Sequence, residues 1–176
     1  MPRARAGLRR WIVALAAVIA LFAIDVGTKT WAELELRRTG SRSVLGDWLV
    51  LRYQTNSGIA FGVWRAPMLP WKRGALIAYS SVVTLGLAVV LARRLGDPTR
   101  SALGTAGVVA LLAGTTGNLR DRITRGAVID FIDLQPPGTT WPAFNGADLY
   151  LAAGLGLCLA ALTLAHRRHA AGPEVE

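Results

Sequence analysis

The chain has 176 residues, 52% of them hydrophobic, with a mean hydropathy of +0.38. That is more apolar than an ordinary soluble domain, and the length suits one domain, so composition points to a small polytopic membrane protein rather than a soluble core. The net charge is +9 and the isoelectric point is near 11.2, yet the basic residues form no contiguous, aromatic-interleaved face for phosphate backbones; no nucleic-acid partner is expected, and the basic residues stand instead at the ends of apolar segments, where anionic lipid headgroups attract them.

The first apolar segment covers about residues 11–31. Twenty-one residues make roughly 31 Å of helix, enough to cross a bilayer. Arg3, Arg5, Arg9 and Arg10 before it imitate a signal peptide. The run continues past Asp25 without a persuasive small-residue cleavage site, so it reads as an uncleaved span. A loop of about 32–73 follows. Within it Trp48-Leu49-Val50-Leu51-Arg52-Tyr53 favours a strand, Asn56-Ser57-Gly58 signals a turn, and Ile59-Ala60-Phe61-Gly62-Val63-Trp64 reads as a second strand. A small hairpin-like sheet on the membrane surface is expected, its indoles suited to the interface. The second span, about 74–92, is stopped by Arg93 and Arg94. The third, about 101–116, carries Gly104, Gly107 and Gly114, which permit close helix contact in lipid. After a second long loop, about 117–146, the fourth span runs over about 147–165. Gly154 and Gly156 again offer close packing there, and His166-Arg167-Arg168 ends the span.

Four spans leave both termini on one side. Basic residues are densest in the tails and in the short loop with Arg93, Arg94 and Arg100, which places both termini in the cytoplasm and both long loops outside. The expected fold is an all-α membrane protein: a four-transmembrane-helix bundle with a small extracytoplasmic β-hairpin or sheet region, forming one membrane domain over 1–176. Nothing demands more than a monomer.

Several polar residues stand where lipid makes them expensive. Asp25 and Lys29, four apart, share a helix face; they form either a structural ion pair or the support of a polar site. Asn56 and Gly58 mark either a plain turn or a place where an extended peptide is bound. Asn118 and Arg122 are also four apart, and the guanidinium is suited to orienting a carboxylate. Asp130, in Gly126-Ala127-Val128-Ile129-Asp130-Phe131, and Asp148, in Phe144-Asn145-Gly146-Ala147-Asp148, fall at the outer ends of spans three and four. Two converging carboxylates do not both ionise cheaply, so such a pair supplies a base and an acid at one pH. Asp133, followed by Leu134-Gln135-Pro136-Pro137-Gly138, reads as a solvated loop residue. Cys158 is the single cysteine and reads as packing, and His166 and His169 have no companion ligands. There is no Gly-x-Ser-x-Gly elbow, no Ser–His arrangement and no Walker-type loop, so hydrolysis would rest on carboxylates. A proton-coupled carrier would prefer its charges near mid-membrane, and a non-catalytic scaffold would leave Asn118, Asp130, Asn145 and Asp148 without a purpose.

Five segments in order carry a resemblance: Asp25-x-x-Thr28-Lys29, Asn56-x-Gly58-x-Ala60-Phe61-Gly62, Gly117-Asn118-x-x-Asp121-Arg122, Gly126-x-Val128-x-Asp130-Phe131 and Phe144-Asn145-x-Ala147-Asp148. Together they resemble bacterial lipoprotein signal peptidase (signal peptidase II), an aspartic membrane protease family. The resemblance implies a catalytic pair at Asp130 and Asp148. It implies polar site residues at Asn56, Asn118, Arg122 and Asn145, support from Asp25 and Lys29, and packing at Gly114, Phe61 and Ala147. Val26 and Ile59 depart from the family pattern without touching the pair. The implied reaction removes the signal peptide of a diacylglyceryl-modified prolipoprotein just before the lipidated cysteine. No metal or organic cofactor is implied, and the setting would be the bacterial plasma membrane, with the site near its outer face.

Overall fold

The structure is a computed structural model that describes residues 2–58, 70–139 and 141–170. Helix α1 (Pro2–Trp31) continues through a π-helical turn, Ala32–Leu36, and a last turn, Arg37–Thr39, and ends at Gly40, whose φ is 88°. Strands β1 (Arg42–Leu45) and β2 (Leu49–Asn56) follow. Then come α2 (Pro70–Gly96), α3 (Ala102–Thr124), strand β3 (Val128–Leu134) and α4 (Gly146–Ala170). All four long helices have the length and apolar composition to cross a membrane. The strand expected at 59–64, with Phe61, lies outside the described residues.

Helix α3 is the axis of the bundle. Half of its apolar window is buried, against 6–17% for the other three, whose remaining faces point outward. Leu8, Ile19, Val82, Leu85 and Leu162 are each about two-thirds exposed, the surface that lipid covers when no aqueous core is available. Inside, Ala14 of α1, Leu91 and Leu95 of α2, and Val108, Val109 and Leu112 of α3 form one apolar cluster. Helices α3 and α4 are in close contact where Gly107 meets Gly154. A Cβ on either glycine would stand 2.8 Å from the other's carbonyl oxygen, so only glycine permits this separation. Gly114 lies under the carbonyl of Ala147 in the same way. Gly156 faces open space instead and makes no close contact.

Helix α3 does not stop near residue 116 but runs through Thr124. Its later polar residues turn into the bundle, where Asn118 and Asp121 are buried, so the helix keeps its backbone bonds while its polar side chains find partners.

The sheet has the order β1–β2–β3, antiparallel throughout. Strand β2 forms where β-branched and aromatic residues predicted it, but its described neighbours are β1 and the unforeseen β3. Register runs from Leu49 opposite Leu134 to Asn56 opposite Val128, with an irregularity between Leu51 and Gln54. Consequently Asp130 belongs to a strand and not to the end of a membrane helix. Asp133 is a second correction: it is 7% exposed and pairs with Arg52 at 3.1 Å, because strand β3 carries it back beside β2 instead of out into a loop. A second apolar cluster, Ala32, Leu36, Ile129 and Phe131, fastens the sheet to the extension of α1. Trp31 meets Phe131 edge-on, ring centroids 6.4 Å apart.

Candidate active site

A short backbone bridge brings Asp130 and Asp148 together. The chain leaves β3, loops out, and returns at Phe144. There Phe144 N–H donates to the Ile132 carbonyl at 3.0 Å, and Ile132 N–H donates back at 2.9 Å. The next residue, Asn145, caps α4. Its side-chain oxygen accepts from the Asp148 N–H, and the Asp148 carboxylate Oδ2 accepts from the Asn145 N–H, both at 3.2 Å. This is a reciprocal capping box with aspartate in the place of glutamate. The Asn145 amide Nδ2 then donates to Asp130 Oδ1 at 2.6 Å. One fully buried asparagine therefore touches both carboxylates.

Around this pair, Asn118 Nδ2 donates to Asp148 Oδ1 at 3.0 Å. The Asn56 amide, at the end of β2, hydrogen-bonds Asp130, and its own oxygen accepts from Gly58 N–H at 3.0 Å, an Asx-type turn. Asp130 is 3% exposed. Burial pushes its carboxyl up to about 6, the neighbouring Asp148 charge pushes the same way, and the Asn145 and Asn56 bonds and Lys29 partly offset both. Arg122 is half-buried. Its guanidinium donates to the carbonyls of Asn118 and Gly58 at 3.4 and 3.5 Å, and its charge faces Asp148 and Asp130 without making an ion pair with either among the described contacts.

Asp25 and Lys29 form the ion pair that their spacing suggested, and they also reach the site. Lys29 is wholly buried and spends three contacts: Asp25 Oδ2 at 2.9 Å, Asp121 Oδ2 at 3.2 Å and Asn118 Oδ1 at 2.9 Å. The Asp25 contact is an ion pair by distance, without hydrogen-bond alignment at Oδ2. Asp25 Oδ1 accepts the Ala147 N–H at 2.9 Å, at the first turn of α4. Gly117 leaves room for Asp25, which fills the space a side chain there would need.

Sequence reasoning named Asp121 within a motif without giving it a role, and passed over Arg125 and Glu33. Asp121 is fully buried and accepts from Arg125 at 2.7 Å, and Arg125 pairs with Glu33 at 2.7 Å. Spacings of four between Asp121 and Arg125, and between Lys29 and Glu33, were the available signal.

The sequence profile described as Signal peptidase (SPase) II matches residues 17–164. The chain is 35% identical over 157 residues to a lipoprotein signal peptidase of Chlorobium phaeobacteroides, covering 85% of this chain and 86% of that one. It is 34% identical over 148 residues to one of Rhodopseudomonas palustris, covering 80% and 85%. A solved bacterial membrane enzyme superposes with a TM-score of 0.70 over 93% of both chains at 23% identity, and a second with 0.67 over 85% of this chain and 92% of that one at 24%; at those identities the likeness is one of fold. Four membrane-length helices in this shared fold make the chain a multi-pass membrane protein. On its sequence, over most of its length, the chain belongs to the signal peptidase II family.

Proposed function

We propose that this protein is an aspartic endopeptidase that removes the signal peptide of diacylglyceryl-modified prolipoproteins, cleaving before the lipidated cysteine. The observation that carries the reading is Asn145, bonded at once to Asp130 and Asp148, with Asp130 holding a proton up to about pH 6. In such a pair the buried Asp130 serves as the acid and Asp148 as the base.

In this reading Asp148 takes a proton from a water molecule as its oxygen attacks the scissile carbonyl carbon. Asp130 gives its proton to the carbonyl oxygen, so no free oxyanion develops. Collapse of the tetrahedral intermediate returns that proton to Asp130 and breaks the C–N bond. The proton held by Asp148 passes to the leaving amine. Atoms and charges balance: water is consumed, an acid and an amine form, and both aspartates regain their starting states. Asn118 and Asn145 hold the carboxylates against drift, and Arg122 supplies positive charge facing both.

The lipid chains of the substrate would stay in the bilayer while the peptide reaches the sheet side of the bundle. Arginine density at the opposite end, around Arg93, Arg94 and Arg167, supports cytoplasmic termini and a site near the outer face of the bacterial plasma membrane. The protein would act as a monomer among membrane lipids, without metal or organic cofactor. The test is incubation of purified protein with a synthetic diacylglyceryl-cysteine signal peptide. Wild type should release the peptide before the lipidated cysteine, and Asp130→Asn and Asp148→Asn should each lower the rate by several orders of magnitude while inserting normally. Cleavage by either variant at the wild-type rate would remove the mechanism.

A further inference from the structure

Asp130 is held from two directions. On one side Phe144 and Asn145 tie β3 to the first turn of α4. On the other side, the residue before Asp130 is Ile129, whose N–H donates to Asp121 Oδ2 at 3.4 Å. The same Oδ2 lies 3.2 Å from Lys29 Nζ. Lys29 in turn donates to Asn118 Oδ1, and the other end of that amide donates to Asp148 Oδ1. A lysine ammonium only donates, so Lys29 compels the amide oxygen of Asn118 to face it and the NH₂ group to face Asp148.

We infer that Asp121 is a positioning residue that sets the separation of Asp130 and Asp148. One carboxylate holds the backbone next to the first aspartate and, through Lys29 and Asn118, the side chain of the second. Among the described residues its contacts are Lys29, Arg120, Arg125 and the Ile129 N–H, and neither carboxylate of the reacting pair is one of them. Its other oxygen is braced by Arg125 at 2.7 Å and Arg120 at 3.3 Å, and Arg125 is anchored on Glu33 of the α1 extension. The six charges Asp25, Lys29, Glu33, Arg120, Asp121 and Arg125 sum to zero, so the assembly is neutral where burial makes net charge expensive. A structural ion cluster alone would not need an oxygen aimed at the Ile129 N–H. The inference rests on Asp130 and Asp148 being the reacting pair.

The groups facing Asp130 are Asp148 on α4, Lys29 on α1 and Arg122 on α3. Displacing β3 from this setting weakens both the burial of Asp130 and its repulsion by Asp148, so the basic limb of the pH–rate profile moves toward acid. The experiment compares wild type, Asp121→Asn, Arg125→Gln, Asp130→Asn and Asp148→Asn on the synthetic lipopeptide, with rates expressed per folded molecule. Asp121→Asn should lower kcat by about ten- to a hundredfold, as for a misplacement of the order of 1 Å, with KM within about twofold of wild type because Asp121 touches no substrate. Its basic limb should shift to lower pH. Arg125→Gln leaves Asp121 with its Lys29 and Ile129 contacts and should show the same shift in smaller measure.

If Asp121→Asn folds with wild-type kcat and an unmoved limb, the positioning role is overturned. Should it fail to fold, Arg125→Gln decides alone: a shifted limb supports the role, and an unshifted one overturns it. Dead Asp130→Asn and Asp148→Asn controls beside an unaffected Asp121→Asn would sink this inference only, whereas active controls would sink the catalytic pair and this role with it.

Discussion

Replacing Asp130 by asparagine removes a carboxyl whose ionisation the fold opposes. The carboxyl is raised from its ordinary 3.8 to about 6 by burial and by Asp148. In sign, the folded state binds the proton more tightly than the unfolded state, so this group's contribution to stability is full below pH 3.8. It is lost as pH rises through the interval to about 6. Above that the folded protein carries an ionised, buried Asp130 at a cost of about 3 kcal/mol, from about 1.4 kcal/mol for each tenfold change in acidity. Asparagine has nearly the same shape, accepts the Asn145 amide at its oxygen, and does not titrate. Asp130→Asn should therefore be inactive and more stable than wild type at pH 7.5, with a melting temperature about 5–10 °C higher. At pH 4.5 the advantage should shrink to about 1 kcal/mol. Thermal unfolding in detergent, followed by a thiol-reactive dye at the lone Cys158, measures both. An equal gain at the two pH values would mean that packing and not ionisation is responsible, and no gain at pH 7.5 would refute the reasoning outright.

Other substitutions separate the roles of neighbouring groups. Asn145→Ser keeps an N-cap oxygen for the Asp148 N–H but loses the amide on Asp130; it should melt within a few degrees of wild type and lose most lipopeptide cleavage. Lys29→Met leaves Asp25 and Asp121 buried without their shared cation and should cost about 3–5 kcal/mol, read as a large loss of melting temperature. Gly107→Ala puts a methyl group 2.8 Å from the Gly154 carbonyl oxygen and should cost about 1–3 kcal/mol by forcing α3 and α4 apart. Arg52→Ala breaks a pair whose arginine is nearly half exposed, and its effect on stability should stay below about 1 kcal/mol. The basic limb of kcat/KM should lie near pH 6, where free Asp130 loses its proton, and that of kcat should lie higher, because bound substrate excludes water.

The four helices were legible because apolar runs of membrane length have few alternatives. Their ends were not, since α3 continues past residue 116 on polar residues whose partners lie far along the chain. Strand β2 was readable from its composition. Strand β3 was not: Val128–Leu134 carries two aspartates and is buried on both faces, so it shows no alternation of apolar and polar residues. The same blindness placed Asp133 in solvent. For the site, local spacing revealed the Asp25–Lys29 pair, whereas Lys29 with Asn118, and Asn145 with Asp130, depend on tertiary packing over 89 and 15 residues of chain. The resemblance carried by five short motifs implied that Asp130 and Asp148 converge, but not the contacts through Lys29 and Asn145.

Asp148 rides on the first turn of α4, one of the four membrane-length helices, while Asp130 rides on strand β3 of the sheet. The two carboxylates of the proposed pair are thus carried by elements of different kinds. A bilayer thinner or thicker than the apolar length of α4 would tilt that helix while the α1 extension still fastens the sheet, straining the bonds through which Asn145 joins the two carboxylates. Membrane thickness becomes a control on turnover: cleavage should be fastest in lipids of one acyl length and fall on either side of it, with the chemistry of the substrate unchanged.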